Sequence, residues 1–377
     1  MGGEPNESPR LVGEGSADHA QAHWRARIPL WCAVARYTLV AANLVRSTQN
    51  MLYITHGAPD GDEGVGAAVS TSGYQRWTAG VEVRQGTWER PSGIVWDVDG
   101  VLIDVSESYP AVVAEAARWF CAVHLGVPSP FSPDHARHWK AAGGFNDDWL
   151  LAQAVCLWLA SRHRSGRWPV AAGEQEAFCQ EVAARGGGIA SVRALCGDVD
   201  LVRPEESARV CMGWYGGSDA CREMFGFYPT HVRHPGLYQR ERAAVGPGDL
   251  RPWAGRMAIF TGRHRGELRV GLRRADLTAL FPPGTCYTAD DGPAKPHPDG
   301  LLHATRNLGG GLVFVGDDPD DAEATARFNR LAAGLGLAAV RFCGITGRDD
   351  SRRRVLAERG ADALAYSVLD LLGAWSG

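Results

Sequence analysis

Five short apolar runs constrain this chain more than any other feature. They are IVWDV (94–98), MAIFT (257–261), TCYTA (285–289), LVFVG (312–316) and AAVRF (338–342). Stretches with helical periodicity accompany them at 265–277, 298–308, 319–333 and 350–359. Such alternation predicts βαβ units, and so an α/β fold with a parallel sheet covered by helices on both faces. In open sheets of this kind ligands bind beyond the carboxyl ends of the strands. The residues that close each run are therefore the ones to examine for chemistry.

The first and second runs are separated by an insertion over residues 107–252, far longer than an ordinary βα connection. Its periodic segments AVVAEAARWFCAVHL (111–125) and DDWLLAQAVCLWLASRHR (147–164) predict helices, broken at Gly143-Gly144, Gly186 to Gly188 and Gly216-Gly217. A helical cap domain above the strand ends is the expectation, with the core formed by 93–106 and 253–377. Residues 1–92 read as a peripheral N-terminal extension. Its first 24 or so residues, rich in Gly, Glu, Ser and Pro, are expected to be disordered, and a helix is expected over 31–45.

Bulk properties remove several function classes. The net charge of −4 argues against a nucleic-acid binder driven by overall electrostatics. The nine cysteines are scattered with no CxxC pair, which points to reduced thiols rather than a disulfide framework or a zinc site. The most apolar N-terminal stretch, 28–45, is interrupted by Pro29 and Arg36, falls short of a membrane span and makes a poor signal peptide. The expectation is a soluble cytoplasmic protein with no nucleic-acid or membrane partner, as a monomer or homodimer.

The chemistry gathers at four strand ends. In IVWDVDG, alternation along a strand puts Asp97 and Asp99 on one side, and Gly100 allows a sharp turn after them. Two like charges on a buried strand are costly unless a cation or a shared proton compensates. The pair suits an aspartyl nucleophile, an acid/base partner and Mg2+. In AIFTGR, the Thr261 hydroxyl and the Gly262 N–H can make a cradle for phosphate oxygens, although a strand ending in Thr-Gly can equally be a plain turn. In AKPHPDGL, Pro296 and Pro298 stiffen the chain around Lys295, a compact cation suited to neutralising a phosphoryl group. In LVFVGDDPDDAEA, Asp317, Asp318, Asp320 and Asp321 crowd a helix start. Part of that is capping, but four carboxylates in five positions exceed what a cap needs and favour a hard cation.

Taken together, in this order, the four segments resemble the haloacid dehalogenase superfamily in its capped phosphatase branch. DVDGVLID matches the first motif of that family, FTGR the second, KPHP the third and GDDPDD the fourth. The resemblance runs from Ile94 to the C-terminus and implies a Rossmann-like core. It makes Asp97 the nucleophile, Asp99 the general acid/base, and Thr261 and Lys295 the stabilisers of the transferring group, with Gly262 and Arg263 assigned to phosphate binding. It implies Mg2+ held by Asp97, the backbone carbonyl of Asp99, and Asp317, with Asp321 as ligand or support.

DVSESY (104–109) and GGFNDDW (143–149) resemble features of a subgroup with members associated with histidine biosynthesis. Histidinol phosphate therefore stands beside sugar phosphates and other small phosphorylated metabolites as a candidate substrate. A phosphomutase, a phosphonate hydrolase using Lys140, and a non-catalytic binding protein of the same fold remain open. A carbon–halogen dehalogenase is disfavoured, since it needs neither a second acid such as Asp99 nor Mg2+. Substrate-facing candidates in the insertion are 143–148, 215–218, Arg222, His231, Arg233 and His234, whereas Trp149, Trp158 and Trp168 read as core.

Overall fold

A computed structural model of the chain describes residues 73–84, 88–197 and 199–376. The disorder expected over 1–24 and the helix expected over 31–45 lie outside the described residues. Among those described, the central sheet has eight strands in the order β1-β2-β10-β9-β8-β3-β6-β7. These are β1 (Tyr74–Thr78), β2 (Val81–Arg84), β3 (Gly93–Trp96), β6 (Met257–Phe260), β7 (Cys286–Tyr287), β8 (Leu312–Gly316), β9 (Arg341–Ile345) and β10 (Ala363–Ala365). β4 (Ile103–Asp104) and β5 (Arg242–Ala243) form a separate antiparallel pair.

Strands β10, β9, β8, β3, β6 and β7 are mutually parallel. The middle three are buried along their whole length. Their side chains divide by parity, as a pleated strand requires. Ile94 and Trp96 join one apolar cluster with Ile259, Val313, Val315 and Cys343. Val95 joins another with Ala258, Phe260, Phe314 and Phe342. The helices of the core are α7 (Arg265–Arg274), α8 (Asp299–Leu308), α9 (Pro319–Leu335), α10 (Asp350–Glu358) and α11 (Val368–Ala374). The α/β expectation is met, with a sheet that is mostly parallel.

Two expectations need correction. Residues 74–84 are not peripheral: β2 pairs antiparallel with β10, and β1 with β2, so they complete one edge of the sheet. The strand expected at 338–342 lies three residues later, at Arg341–Ile345. Gly344, which looks like a break in the sequence, packs closely inside that strand. A Cβ on it would stand 2.8 Å from Leu356 Cδ1.

The insertion carries α1 (Tyr109–Phe120), α2 (Ala136–Ala141), α3 (Asp148–Arg164), α4 (Glu174–Ala184), α5 (Gly188–Cys196) and α6 (Pro204–Phe225). Val112, Val113, Trp139, Phe145, Leu151, Trp158 and Val182 are buried in a cluster of its own, with Trp149 and Trp168 packed on its margin. Insertion and core lie in one compact unit, Ala68–Gly377. No helix among the described residues is long and apolar enough to cross a membrane.

Candidate active site

Strand β3 stops at Trp96, one residue before Asp97. The Asp97 N–H still donates to the Val315 carbonyl of β8 at 2.8 Å, which holds the residue at the sheet's end. The chain then turns tightly: the Val98 carbonyl accepts from the N–H groups of Leu102 and Ile103, each at 2.9 Å. Gly100 sits in this turn with φ +73°, and a Cβ there would meet Asp317 Oδ2 at 2.1 Å. Only glycine satisfies both the left-handed backbone and that close approach. Asp97 and Asp99 therefore do not project as a strand pair. Asp99 belongs to the turn, bridged to Ile103, and faces different neighbours.

Asp97 is buried and faces Lys295, whose Nζ lies 2.8 Å from Asp97 Oδ1 and 2.7 Å from Asp321 Oδ1. The same ammonium sits over the rings of Phe260 and Phe314, at 5.7 and 5.9 Å from their centroids. Burial opposes the charge of Lys295, but Asp321 and Asp97 outweigh it and hold the lysine pKa above its ordinary value. Burial pushes Asp97 well up, with Lys295 working the other way and Asp321, Asp317 and Asp99 adding to the rise.

Asp317 follows β8 and pairs with Arg352 of α10 at 3.0 Å. Burial raises it to about 7, with Arg352 opposing and Asp321 and Asp318 adding. Fully buried Asp321 uses Oδ2 to accept from the N–H groups of Asp317 and Asp318, both at 3.1 Å. It thus fixes the loop and the lysine together. Asp318 is the N-cap of α9, accepting from the Asp320 N–H at 2.8 Å. Burial and Asp321 raise it to about 6. Asn146 of the insertion donates to Asp318 at 2.9 Å and to Asp320 at 2.7 Å. The extra acids of this segment thus serve as helix cap and as one of the places where the insertion meets the core.

Carboxylate oxygens of Asp97, Asp317 and Asp321 lie within 4.8 Å of one another. Lys295 is shared between two of these three anions, and Arg352 reaches the third from a half-exposed position. An all-oxygen set of hard donors crowded at this spacing fits a hard divalent cation of the Mg2+ class.

Thr261 is buried just past β6, which runs beside β3 in the register Trp96↔Ile259 and so ends at the same rim. Its hydroxyl oxygen accepts from the Arg263 N–H at 3.2 Å. Gly262 borders open space where a Cβ would stand. Arg263 departs from its expected role in phosphate binding. Its guanidinium is buried and committed, with Nε and Nη2 donating to Asp99 Oδ1 at 2.8 and 2.5 Å. Nη1 and Nη2 also reach the two Glu241 oxygens at 3.2 and 3.1 Å. A guanidinium shared by two carboxylates has no free edge for a phosphate.

In the insertion, the loop 143–148 reaches the rim through Asn146, whereas other sequence candidates have local partners. Arg222 donates to Tyr228 at 2.6 Å, His231 meets the Val210 carbonyl at 3.0 Å, and His234 meets that of Pro235 at 2.8 Å. Sequence reasoning missed Glu241 and Arg352. Both lie in charged stretches, QRER (239–242) and SRRR (351–354), that read as solvated surface.

Residues 250–329 match the family described as haloacid dehalogenase-like hydrolase. A solved structure of phosphatase Tt82 from Thermococcus thioreducens is similar at 26% identity and a TM-score of 0.50, covering 70% of this chain and 98% of that one. A curated relative, imidazoleglycerol-phosphate dehydratase from Phytophthora nicotianae, is 26% identical over 245 residues. That match covers 64% of this chain and 42% of the relative, so the chain spans well under half of that protein.

Proposed function

The chain belongs to the haloacid dehalogenase-like hydrolases, and from that premise we propose that it hydrolyses a small-molecule phosphate monoester through an aspartyl-phosphate on Asp97. The observation that carries this reading is the convergence of Asp97, Lys295, Asp317 and Asp321 at one sheet end. A phosphate monoester dianion repels an anionic nucleophile, so a carboxylate reacts with it only where positive charge is concentrated. Lys295 supplies one such charge beside the attacking oxygen. Asp97 and Asp317 would hold Mg2+, with the Asp99 carbonyl and Asp321 in support; when bound, the cation screens the phosphoryl oxygens from the nucleophile.

In this scheme Asp97 attacks phosphorus in line, and Asp99 gives a proton to the departing oxygen. Asp99 then takes a proton from the water that cleaves the acyl phosphate. Thr261 and the Gly262 N–H bind phosphoryl oxygens, and the helical insertion acts as a cap that excludes bulk water, seated on the rim through Asn146. Phosphonate hydrolysis is less well supported. Lys140 is paired with Asp148 at 3.0 Å, which outweighs desolvation and keeps the amine protonated, whereas a Schiff base needs it neutral.

For the substrate, the similarity to a protein named for an imidazole-bearing phosphate monoester puts histidinol phosphate first in a screen, ahead of sugar phosphates. The test is phosphate release from 4-nitrophenyl phosphate and a metabolite panel, with Mg2+ and with EDTA. Mg2+-dependent turnover that disappears in Asp97→Asn is expected. Turnover retained by that variant, or none across the panel, would refute the reading.

A further inference from the structure

Glu241 lies where the chain leaves and re-enters the core. On the outgoing side, Ser108 begins α1, and its hydroxyl points at Glu241 Oε1 from 3.5 Å. On the returning side, Glu241 directly precedes β5, which pairs with β4 in the register Ile103↔Ala243 and Asp104↔Arg242. From within the insertion, Tyr215 donates to Glu241 Oε1 at 2.7 Å and stacks on Tyr109, with ring centroids 5.0 Å apart. Glu241 thus touches both chain crossings and the insertion's interior, and its side chain is only 3% exposed. A buried carboxylate needs a cation, and among the described residues Arg263 is the one paired with it.

Arg263 is equally confined. Its side chain is 1% exposed, and it packs against Gly271 of α7, where a Cβ would stand 2.6 Å from Nη1. The remaining partner of this locked guanidinium is Asp99. A planar fork held on one edge by a buried anion sets the direction of the carboxylate on its other edge.

We propose that Arg263 and Glu241 are positioning residues that aim the Asp99 carboxylate at the leaving group and tie that aim to the seating of the insertion. This rests on the reading of Asp99 as the proton donor. Neither residue touches the transferring phosphoryl group; both act through Asp99.

The test compares phenyl phosphate with 4-nitrophenyl phosphate through kcat/KM, which covers steps up to departure of the first leaving group. Phenolate departs slowly without a proton, whereas 4-nitrophenolate needs little help. Glu241→Gln removes the anion that holds Arg263. Gly271→Ala moves the guanidinium while keeping every ionisable group, and it favours the helix intrinsically, so it serves if Glu241→Gln fails to fold. Each variant should lower kcat/KM for phenyl phosphate by about 10-fold or more, part of the range of general acid catalysis, while the nitrophenyl ester changes by less than about 3-fold. Arg263→Lys, which keeps the charge but loses the fork, should show the same bias. Equal losses on both esters would overturn the proposal, since a merely structural defect has no leaving-group preference. A wild-type chain inert with Mg2+ toward both esters and toward the metabolite panel would refute the hydrolase reading and this proposal with it.

Discussion

Asp97 and Asp99 stand two residues apart, yet they occupy two differently built pockets. Asp97 is buried with Lys295 and two further carboxylates, a crowd of anions around one ammonium. Asp99 is 30% exposed and held from one side by a guanidinium that is itself clamped by Glu241. The first pocket concentrates charge and the second fixes direction. A nucleophile needs the former, because its partner is an anion. A proton donor needs the latter, because its transfer depends on the line between two oxygens. The separation follows from where β3 ends: the turn at Gly100 swings Asp99 out of the strand's parity.

Breaking the two pockets separately should give different losses. Asp97→Asn is expected to reduce kcat/KM by at least about 10³-fold on both phenyl and 4-nitrophenyl phosphate, since no bond to phosphorus forms without the nucleophile. Asp99→Asn should reduce the phenyl ester by about 10²-fold and the nitrophenyl ester far less. Identical profiles for the two variants, measured by steady-state kinetics, would erase the distinction.

Lys295→Met addresses the first pocket through stability. It strands Asp97 and Asp321 as buried anions without their shared cation, and urea unfolding in metal-free buffer should show a loss of about 3 kcal/mol. A loss below about 1 kcal/mol would mean that the lysine does not hold the cluster together.

Glu267 sharpens the second pocket. It caps α7 by accepting from the His264 N–H at 2.9 Å. Burial raises its pKa from 4.5 to about 7, against His264 and Arg263, with Asp99 adding to the rise. The folded chain therefore binds this proton more tightly than the unfolded one, and its contribution to stability falls as pH rises from about 4.5 to 7. Glu267→Gln, which keeps the acceptor oxygen, should flatten that part of the stability profile and gain about 2 kcal/mol at pH 8. An unchanged profile from denaturant melts at stepped pH would show that the carboxyl is ionised without cost.

Much of this was legible because the informative residues end apolar runs. The run LVFVG marks β8 without error, and the acids after it announce a site, because a strand buried on both faces leaves a continuous apolar signature. Strand β1, YQRWT, left none: its three central residues are exposed, and its place at the sheet edge depends on pairing with β2. Arg263 was noticed for its motif but given the wrong partner. Its partner Glu241 is 22 residues away and becomes buried only when both insertion crossings pack around it. Long-range burial of a charge has no local pattern in the chain.

The most direct measurement is to acid-quench Asp99→Asn during turnover of 4-nitrophenyl phosphate and map the phosphoryl group by mass spectrometry. In the proposed mechanism that variant lacks the base for the hydrolytic water, so an acyl phosphate should accumulate on the peptide containing residues 93–104, at Asp97. A phosphoryl group found elsewhere, or steady turnover with no covalent adduct at any quench time, would contradict the proposed division of labour between the two aspartates.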